Sequence, residues 1–229
     1  MKEKNLTNKK LVVSSLSRKY IMAAAGLFLM LFLVMHLATN LLLIIGDEGK
    51  TFDKAVDFLT KNPIIKIMEY VLFAGFIIHI IIGLMLELYN YKARPVKYKA
   101  PMRSEVSPFS KYMIHSGIII FIFLVLHLFH FFFIKLGYVD LPETAEHGKD
   151  FFNMAIVTFG NPLYSGIYLI SFLFLGFHLK HAFQSAFQTY GLYHNRYNKF
   201  IKIIATIYAL AIAIGFSIIP VYFLFFYNA

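Results

Sequence analysis

Five long apolar stretches, separated by shorter polar segments, dominate the pattern of this chain. They cover residues 20–45, 67–88, 112–134, 163–179 and 203–226. A helix rises about 1.5 Å per residue, so each stretch is long enough to cross a hydrocarbon layer, which takes roughly 17–25 residues. The fourth stretch is the shortest. The pattern predicts an all-α membrane protein, a bundle of five transmembrane helices forming one domain over residues 1–229.

The connections between these stretches carry further helical signals. In segment 46–66, Phe52, Val56 and Leu59 are spaced as one face of a helix, which predicts a short amphipathic helix on the outer surface. A similar surface helix is expected around residues 142–150. Asn161-Pro162 is a suitable start for the fourth helix. The first stretch is too long for the apolar region of a signal peptide, so it is expected to be retained.

The charge of the chain follows its topology. A net charge of +10 raises the possibility of nucleic-acid binding, but sixteen of the 22 Lys and Arg residues lie in segments 1–19, 89–111 and 180–202. Segments 46–66 and 135–161 hold the other six, together with eight of the 12 acidic residues. By the positive-inside rule, the N-terminus is cytoplasmic and the C-terminus is outside. The excess of basic residues therefore indicates how the chain is oriented in the membrane, and no nucleic-acid partner is expected.

The absence of cysteine restricts the chemistry available to this chain. Iron–sulfur ligation by this chain, covalent c-type haem and a thiolate axial ligand are excluded, which leaves histidine as the strong iron ligand. No G-x-G-x-x-G or Walker-type loop occurs. A flavin, nicotinamide or ATP site would have to lie on another subunit.

Each of the first four apolar stretches contains a histidine that no nearby charged residue explains: His36, His79, His127 and His178. Such residues are costly in hydrocarbon and mark pathways or cofactors. Counted from the cytoplasmic helix ends, His36 and His127 lie about 23–25 Å deep. Counted from the outer ends, His79 and His178 lie about 20–24 Å deep. Equal depths in pairs predict two six-coordinate haems, one near each membrane face.

Neighbouring residues leave the ligand choice open at this stage. His130 follows His127 by three residues, and His181 follows His178 by three, so the two histidines of each pair lie on the same helix face. Either histidine of a pair could therefore bind iron. The member that does not bind iron would hydrogen-bond a haem propionate or a quinone oxygen. Topology also places three basic residues near the inner propionates, although positive-inside anchoring is the preferred explanation for them. These are Arg18, Lys19 and Lys180.

Two glycines repeat the same spacing. Gly26 precedes His36 by ten residues, and Gly117 precedes His127 by ten. Ten residues is close to three helical turns, so each glycine is expected near the face of its own histidine, where a porphyrin needs small neighbours. Ordinary small-residue packing between helices is the competing explanation.

With these features, the chain resembles the di-haem cytochrome b anchor of succinate:quinone oxidoreductases, in its single-chain, five-helix bacterial type that uses menaquinone. The resemblance covers nearly the whole chain. Its most telling segments are SSLSRKYIMAAAGLFLMLFLVMHLATNL in the first stretch and FHLKHAFQSAFQTYG in the fourth. In that family the fourth ligand precedes a glycine by thirteen residues, as His178 precedes Gly191, and the third follows a glycine by ten, as His127 follows Gly117.

The resemblance implies an electron-transfer function in a bacterial inner (cytoplasmic) membrane. His36 and His127 would bind the outer haem b, and His79 and His178 the inner one. A flavoprotein subunit would interconvert succinate and fumarate, and an iron–sulfur subunit would carry electrons to this chain. Family members place an acidic residue at the quinone site near the outer face. The candidates here are Asp53, Asp57 and Glu69.

Three other functions fit parts of the pattern. One is a cytochrome b subunit of a formate dehydrogenase or hydrogenase, which is also a small histidine-ligated bundle. A bc-type cytochrome b is disfavoured because it carries two ligands on each of two helices. A metal-ion transporter with H-x-x-H zinc sites would need carboxylates beside the intramembrane histidines, whereas Glu69 and Glu87 lie at helix ends.

Overall fold

The structure, a computed structural model, describes residues 15–92, 112–142, 150–192 and 194–227. Within these ranges the chain is almost entirely helical and contains no strand. Most of the basic tail and of the basic second connection (residues 1–14 and 93–111) lies outside the described residues, as does segment 143–149 with His147.

Five helical spans are long and apolar enough to cross a membrane, as the sequence predicts. They run Leu16–Ile44, Pro63–Lys92, Met113–Lys135, Pro162–Thr189 and Arg196–Phe225. The chain is therefore an all-helical, multi-pass membrane protein.

The described residues form eight α-helices. They are α1 (Ser15–Asn40), α2 (Lys50–Lys61), α3 (Pro63–Lys92), α4 (Met113–His127), α5 (Phe133–Lys135), α6 (Phe151–Gly160), α7 (Pro162–Thr189) and α8 (Asn195–Phe225). A 3-10 turn at Leu41–Ile44 extends α1, and a π turn at Leu128–Phe132 joins α4 to α5 within one span. The short helices α2 and α6 contact each other at one end of the bundle. We call this the upper end and the opposite one the lower end.

The second and fourth spans begin with the same local motif. Asn62 Oδ1 accepts the Ile64 N–H at 2.9 Å, and Asn161 Oδ1 accepts the Leu163 N–H at 2.9 Å. Each asparagine is followed by proline, whose fixed φ suits the first helical position and whose missing N–H costs nothing there. The Asn161-Pro162 start predicted from the sequence is confirmed.

The fourth span is longer at its lower end than predicted. The prediction ends at residue 179, whereas α7 continues to Thr189. The additional turns contain Ala, Gln and Lys, which favour helix even though they are less apolar. The helix stops at Gly191, whose φ of 77° permits the left-handed turn, and the Leu192 N–H bonds back to the Phe187 carbonyl at 3.0 Å.

The two short upper helices lie on either side of the gap in the described residues at 143–149. α2 has the predicted apolar face, with Phe52 buried and Val56 packed against the core. The surface helix expected around residues 142–150 falls almost wholly outside the described residues. The next helix, α6, begins at Phe151, and the Asp150 side chain caps it by accepting the Asn153 N–H. The buried residues of α6 include Met154, so this helix is an integral part of the core.

The core of the bundle lies between α7 and α8, against which α1 packs. α4 packs on α7, and α3 packs mainly on α1. α3 has no fully buried residue along its length, so it is the peripheral span. This arrangement turns one side of α1, α3, α4 and α7 toward a shared interior, in which the four histidines lie.

Candidate functional site

The upper part of the bundle brings His36 of α1 and His127 of α4 together. Their ring centres are 5.8 Å apart and their planes are inclined by 80°. Asn40, one turn after His36, reaches its Nδ1 at 3.2 Å and its carbonyl oxygen at 2.7 Å. This amide anchors the His36 ring to its own helix.

Aromatic side chains enclose this upper pair. Phe32 stacks on His36 at 5.1 Å, and Phe216 of α8 lies 5.7 Å from the same ring. Phe123 and Phe131 lie 5.9 and 5.2 Å from His127, one turn before and one turn after it. The upper pair therefore sits in an apolar surrounding that favours neutral imidazole.

The lower part of the bundle brings His79 of α3 and His178 of α7 together. Their ring centres are 6.3 Å apart and their planes are inclined by 66°. The rings thus meet in the combination that helix depth predicts, His36 with His127 and His79 with His178. Binding of iron by these residues stays a prediction.

Ser116 of α4 lies within hydrogen-bond distance of the His178 ring. Its buried hydroxyl bridges the Met113 carbonyl, at 2.9 Å, and His178 Nδ1, at 3.1 Å. When the hydroxyl donates its single proton to the Met113 carbonyl, it offers a lone pair to His178 Nδ1–H. In that tautomer the Nε2 lone pair of His178 is free to bind a metal.

The separation of the rings fits a shared metal. Two imidazoles on opposite sides of one ion, each bound at about 2 Å and with a ring radius of about 1.1 Å, have centres roughly 6 Å apart. The observed 5.8 and 6.3 Å agree with this value. Each pair supplies two nitrogen ligands, which are the two ligands that haem iron needs in addition to the porphyrin nitrogens.

Glycines flank the lower pair on both sides. A Cβ added at Gly26 would lie 3.6 Å from His79 Cε1, and one at Gly117 would lie 3.7 Å from His178 Cε1. The sequence predicted each glycine near the helix face that carries its own histidine, and the structure places each glycine beside a histidine of the other level. Ten residues of helical rise span about 15 Å, so a glycine on that face reaches the other level.

One ring nitrogen in each pair has no protein partner among the described residues. These atoms are His79 Nδ1 and His127 Nδ1, and both are buried. A buried polar atom without a partner is unfavourable and is typical of sites that another group completes. These orphaned nitrogens show that each site is incomplete among the described residues, and the ring separation and the flanking glycines fit a prosthetic group at each level.

The two additional histidines differ in their surroundings. His130 lies within the π turn, where its Nδ1 is 3.1 Å from the hydroxyl of Tyr168 on α7. His181 follows His178 in regular α-helix and is half-buried. Neither ring forms a close pair of the kind seen for the four histidines above.

The three basic residues predicted near a propionate are not brought together. Arg18 lies 5.6 Å over the Tyr89 ring at the lower end of α3, and its buried Nε has no hydrogen-bond partner among the described residues. Lys19 and Lys180 are exposed. Of the three, Arg18 is the one directed into the bundle.

The acidic candidates occupy two different environments. Asp53 and Asp57 are exposed on α2, and Asp57 pairs with Lys61 at 2.8 Å. Glu69 is partly exposed at the upper end and pairs with Lys135 of α5 at 3.2 Å. Glu69 is therefore the acidic candidate that connects two spans.

Three residues of the site were missed in the sequence: Asn40, Ser116 and Tyr168. Each is a polar residue in an apolar helix, and Ser116 meets a partner 62 residues away. Tyr168 precedes His178 by ten residues, the same offset that separates the two levels on α1 and α4. That offset was the available clue that Tyr168 lies beside the upper pair.

Comparisons of the chain with protein-family models, curated proteins and solved structures find no match. Function is therefore argued from the two histidine pairs and from the sequence resemblance.

Proposed function

We propose that this chain is the membrane-anchor cytochrome b subunit of a succinate:quinone oxidoreductase and carries two b haems. The observation that supports this best is the meeting of four histidines from four spans as two facing pairs, about 15 Å apart along the helices. The paired rings support the electron-transfer role. Assignment to a succinate:quinone oxidoreductase rests on the sequence resemblance.

Each pair holds one haem in this proposal. His36 and His127 bind the upper group, and His79 and His178 the lower one. Iron with two imidazole ligands keeps no open position for oxygen, so the bound haem supplies one-electron transfer. The aromatic enclosure of the upper pair excludes water from the ligands.

Residues beside the ligands set their orientation. A metal-bound imidazole carries its proton on the nitrogen remote from the metal and donates it to a neighbouring acceptor. Ser116 Oγ, 3.1 Å from His178 Nδ1, is placed to accept this proton. At His36 the Asn40 Nδ2 amide donates to the His36 carbonyl at 2.7 Å and lies 3.2 Å from Nδ1, so it fixes the ring relative to its own helix.

The remaining surfaces have complementary roles in the complex. The basic lower end faces the cytoplasm of a bacterium, in its inner membrane, with the N-terminus cytoplasmic and the C-terminus outside. It docks the iron–sulfur and flavoprotein subunits, and the succinate or fumarate site lies on the flavoprotein. A quinone, as menaquinone, reacts near the upper end, where Glu69 is the best-placed acid.

The test is haem content in the purified complex. We expect a reduced-minus-oxidised spectrum with two b haems per chain, and reduction of both by succinate. His178→Ala should lose one haem, and the matched control His181→Ala should keep two. A wild-type complex without haem would refute the electron-transfer role, and haem that succinate fails to reduce would refute the assignment to this oxidoreductase.

A further inference from the structure

The two histidines of the upper H-x-x-H segment are separated by the backbone itself. In a regular α-helix, residues three apart share a face. Here the chain enters a π turn directly after His127, and the Phe133 N–H bonds to the Leu128 carbonyl five residues earlier. A π turn is wider and advances each residue by a smaller angle, so His130 lies farther round the helix from His127 than its spacing predicts.

The displaced His130 ring is held by two tyrosines of α7. It stacks parallel to Tyr168, with planes inclined by 10° and centres 5.8 Å apart, and Tyr164 lies edge-on at 4.7 Å. The Tyr168 hydroxyl lies 3.1 Å from His130 Nδ1. Tyr168 is 1% exposed, so its position is fixed by the core.

This hydrogen bond favours one tautomer of His130. The buried Tyr168 hydroxyl has one proton to donate, and its acceptor among the described residues is His130 Nδ1. With the Nδ1 lone pair engaged, the neutral ring carries its proton on Nε2. No lone pair is then left for a metal, which is the opposite of the His178 tautomer in which Nδ1–H donates to Ser116.

We propose that Tyr168 is a positioning residue that, together with the π turn, withholds His130 from iron and so leaves His127 as the upper ligand. This inference rests on the proposed function. Tyr168 also packs against His127, with ring centres 6.2 Å apart, so it contacts both members of the H-x-x-H segment. The Tyr168 ring positions His127, and the Tyr168 hydroxyl keeps His130 from binding iron.

The test uses Tyr168→Phe in the intact complex, because this change keeps the ring and removes only the hydroxyl. The measurement is the low-spin haem signal in electron paramagnetic resonance. The signal retained in His178→Ala identifies the upper haem. Loss of one neutral hydrogen bond corresponds to roughly a fivefold rise in the population of His130 free to bind iron. We expect a second low-spin species of the upper haem to appear in Tyr168→Phe.

Two further variants make the result specific. Tyr168→Phe combined with His130→Ala should return the upper haem to a single species, because the competitor is gone. Tyr164→Phe, which also alters a tyrosine against His130, should leave the wild-type signal. A Tyr168→Phe spectrum identical to wild type, or a second species that persists without His130, would overturn the inference while the haems themselves remain. A wild-type complex without haem would overturn both this inference and the proposed function.

Discussion

Removing the Ser116 hydroxyl should raise the reduction potential of the lower haem. In Ser116→Ala, His178 Nδ1–H loses the acceptor that lies 3.1 Å away in a buried position. An imidazole that donates a hydrogen bond is a more basic ligand and stabilises the oxidised iron. Without that bond, the reduced form becomes relatively more favourable.

The size of the shift follows from the strength of the bond. A neutral hydrogen bond contributes about 0.5–1.5 kcal/mol, and for a one-electron couple about 1.4 kcal/mol corresponds to 59 mV. The lower haem should therefore shift upward by roughly 20–60 mV. A potentiometric titration followed by visible spectroscopy resolves a change of this size, and the upper haem provides an internal reference.

The matched control is Ser171→Ala. Ser171 is also buried, but it lies on α7 and donates to the Ile167 carbonyl. We expect this variant to leave both potentials unchanged, and Ser116→Thr, which keeps a hydroxyl, to stay near wild type. A downward shift in Ser116→Ala, or an equal shift in Ser171→Ala, would refute the assignment of Ser116 as the acceptor.

Two other changes test the flanking glycine and the upper acid. Gly26→Leu should lose the lower haem in the reduced-minus-oxidised spectrum, because its added side chain begins 3.6 Å from His79. Gly166→Leu, where the added side chain meets open space, should keep two haems. Equal haem loss in both variants would contradict the role of Gly26. Glu69→Gln should lower quinone reduction by about tenfold or more, the size expected for loss of a proton-transfer group, with succinate:dye activity unchanged. Asp57→Asn, on the exposed face of α2, should alter neither quinone reduction nor succinate:dye activity. A larger loss of quinone reduction in Asp57→Asn than in Glu69→Gln would assign the proton-transfer role to Asp57.

The spans and the histidine pairs could be predicted because both depend on a single physical regularity. Apolar length alone locates the five spans, and a fixed rise per residue converts position into depth. The same arithmetic, applied between helices, would also have placed Gly26 beside His79, because ten residues of rise separate the two levels. The sequence prediction considered one helix at a time, so it named the face of Gly26 but not its partner.

The rest of the site depends on contacts that no local pattern encodes. A serine in an apolar helix commonly bonds its own backbone, as Ser116 does, so its second contact with His178 cannot be inferred from its position. The π turn after His127 likewise interrupts a segment that reads as continuous helix. Helix α6 was missed because segment 151–160 is too short and apolar to distinguish from the span that follows it.

The ten-residue offset between glycine and histidine on α1 and on α4 sets the distance between the two histidine levels. Because Gly26 supports one level and His36 forms the other, a single residue inserted between them would rotate one against the other by about 100°. One insertion would thus damage both levels together. We expect this short segment to tolerate substitution on its lipid-facing side but no change in length, so the distance between the two centres is a property of chain length and not of any one contact.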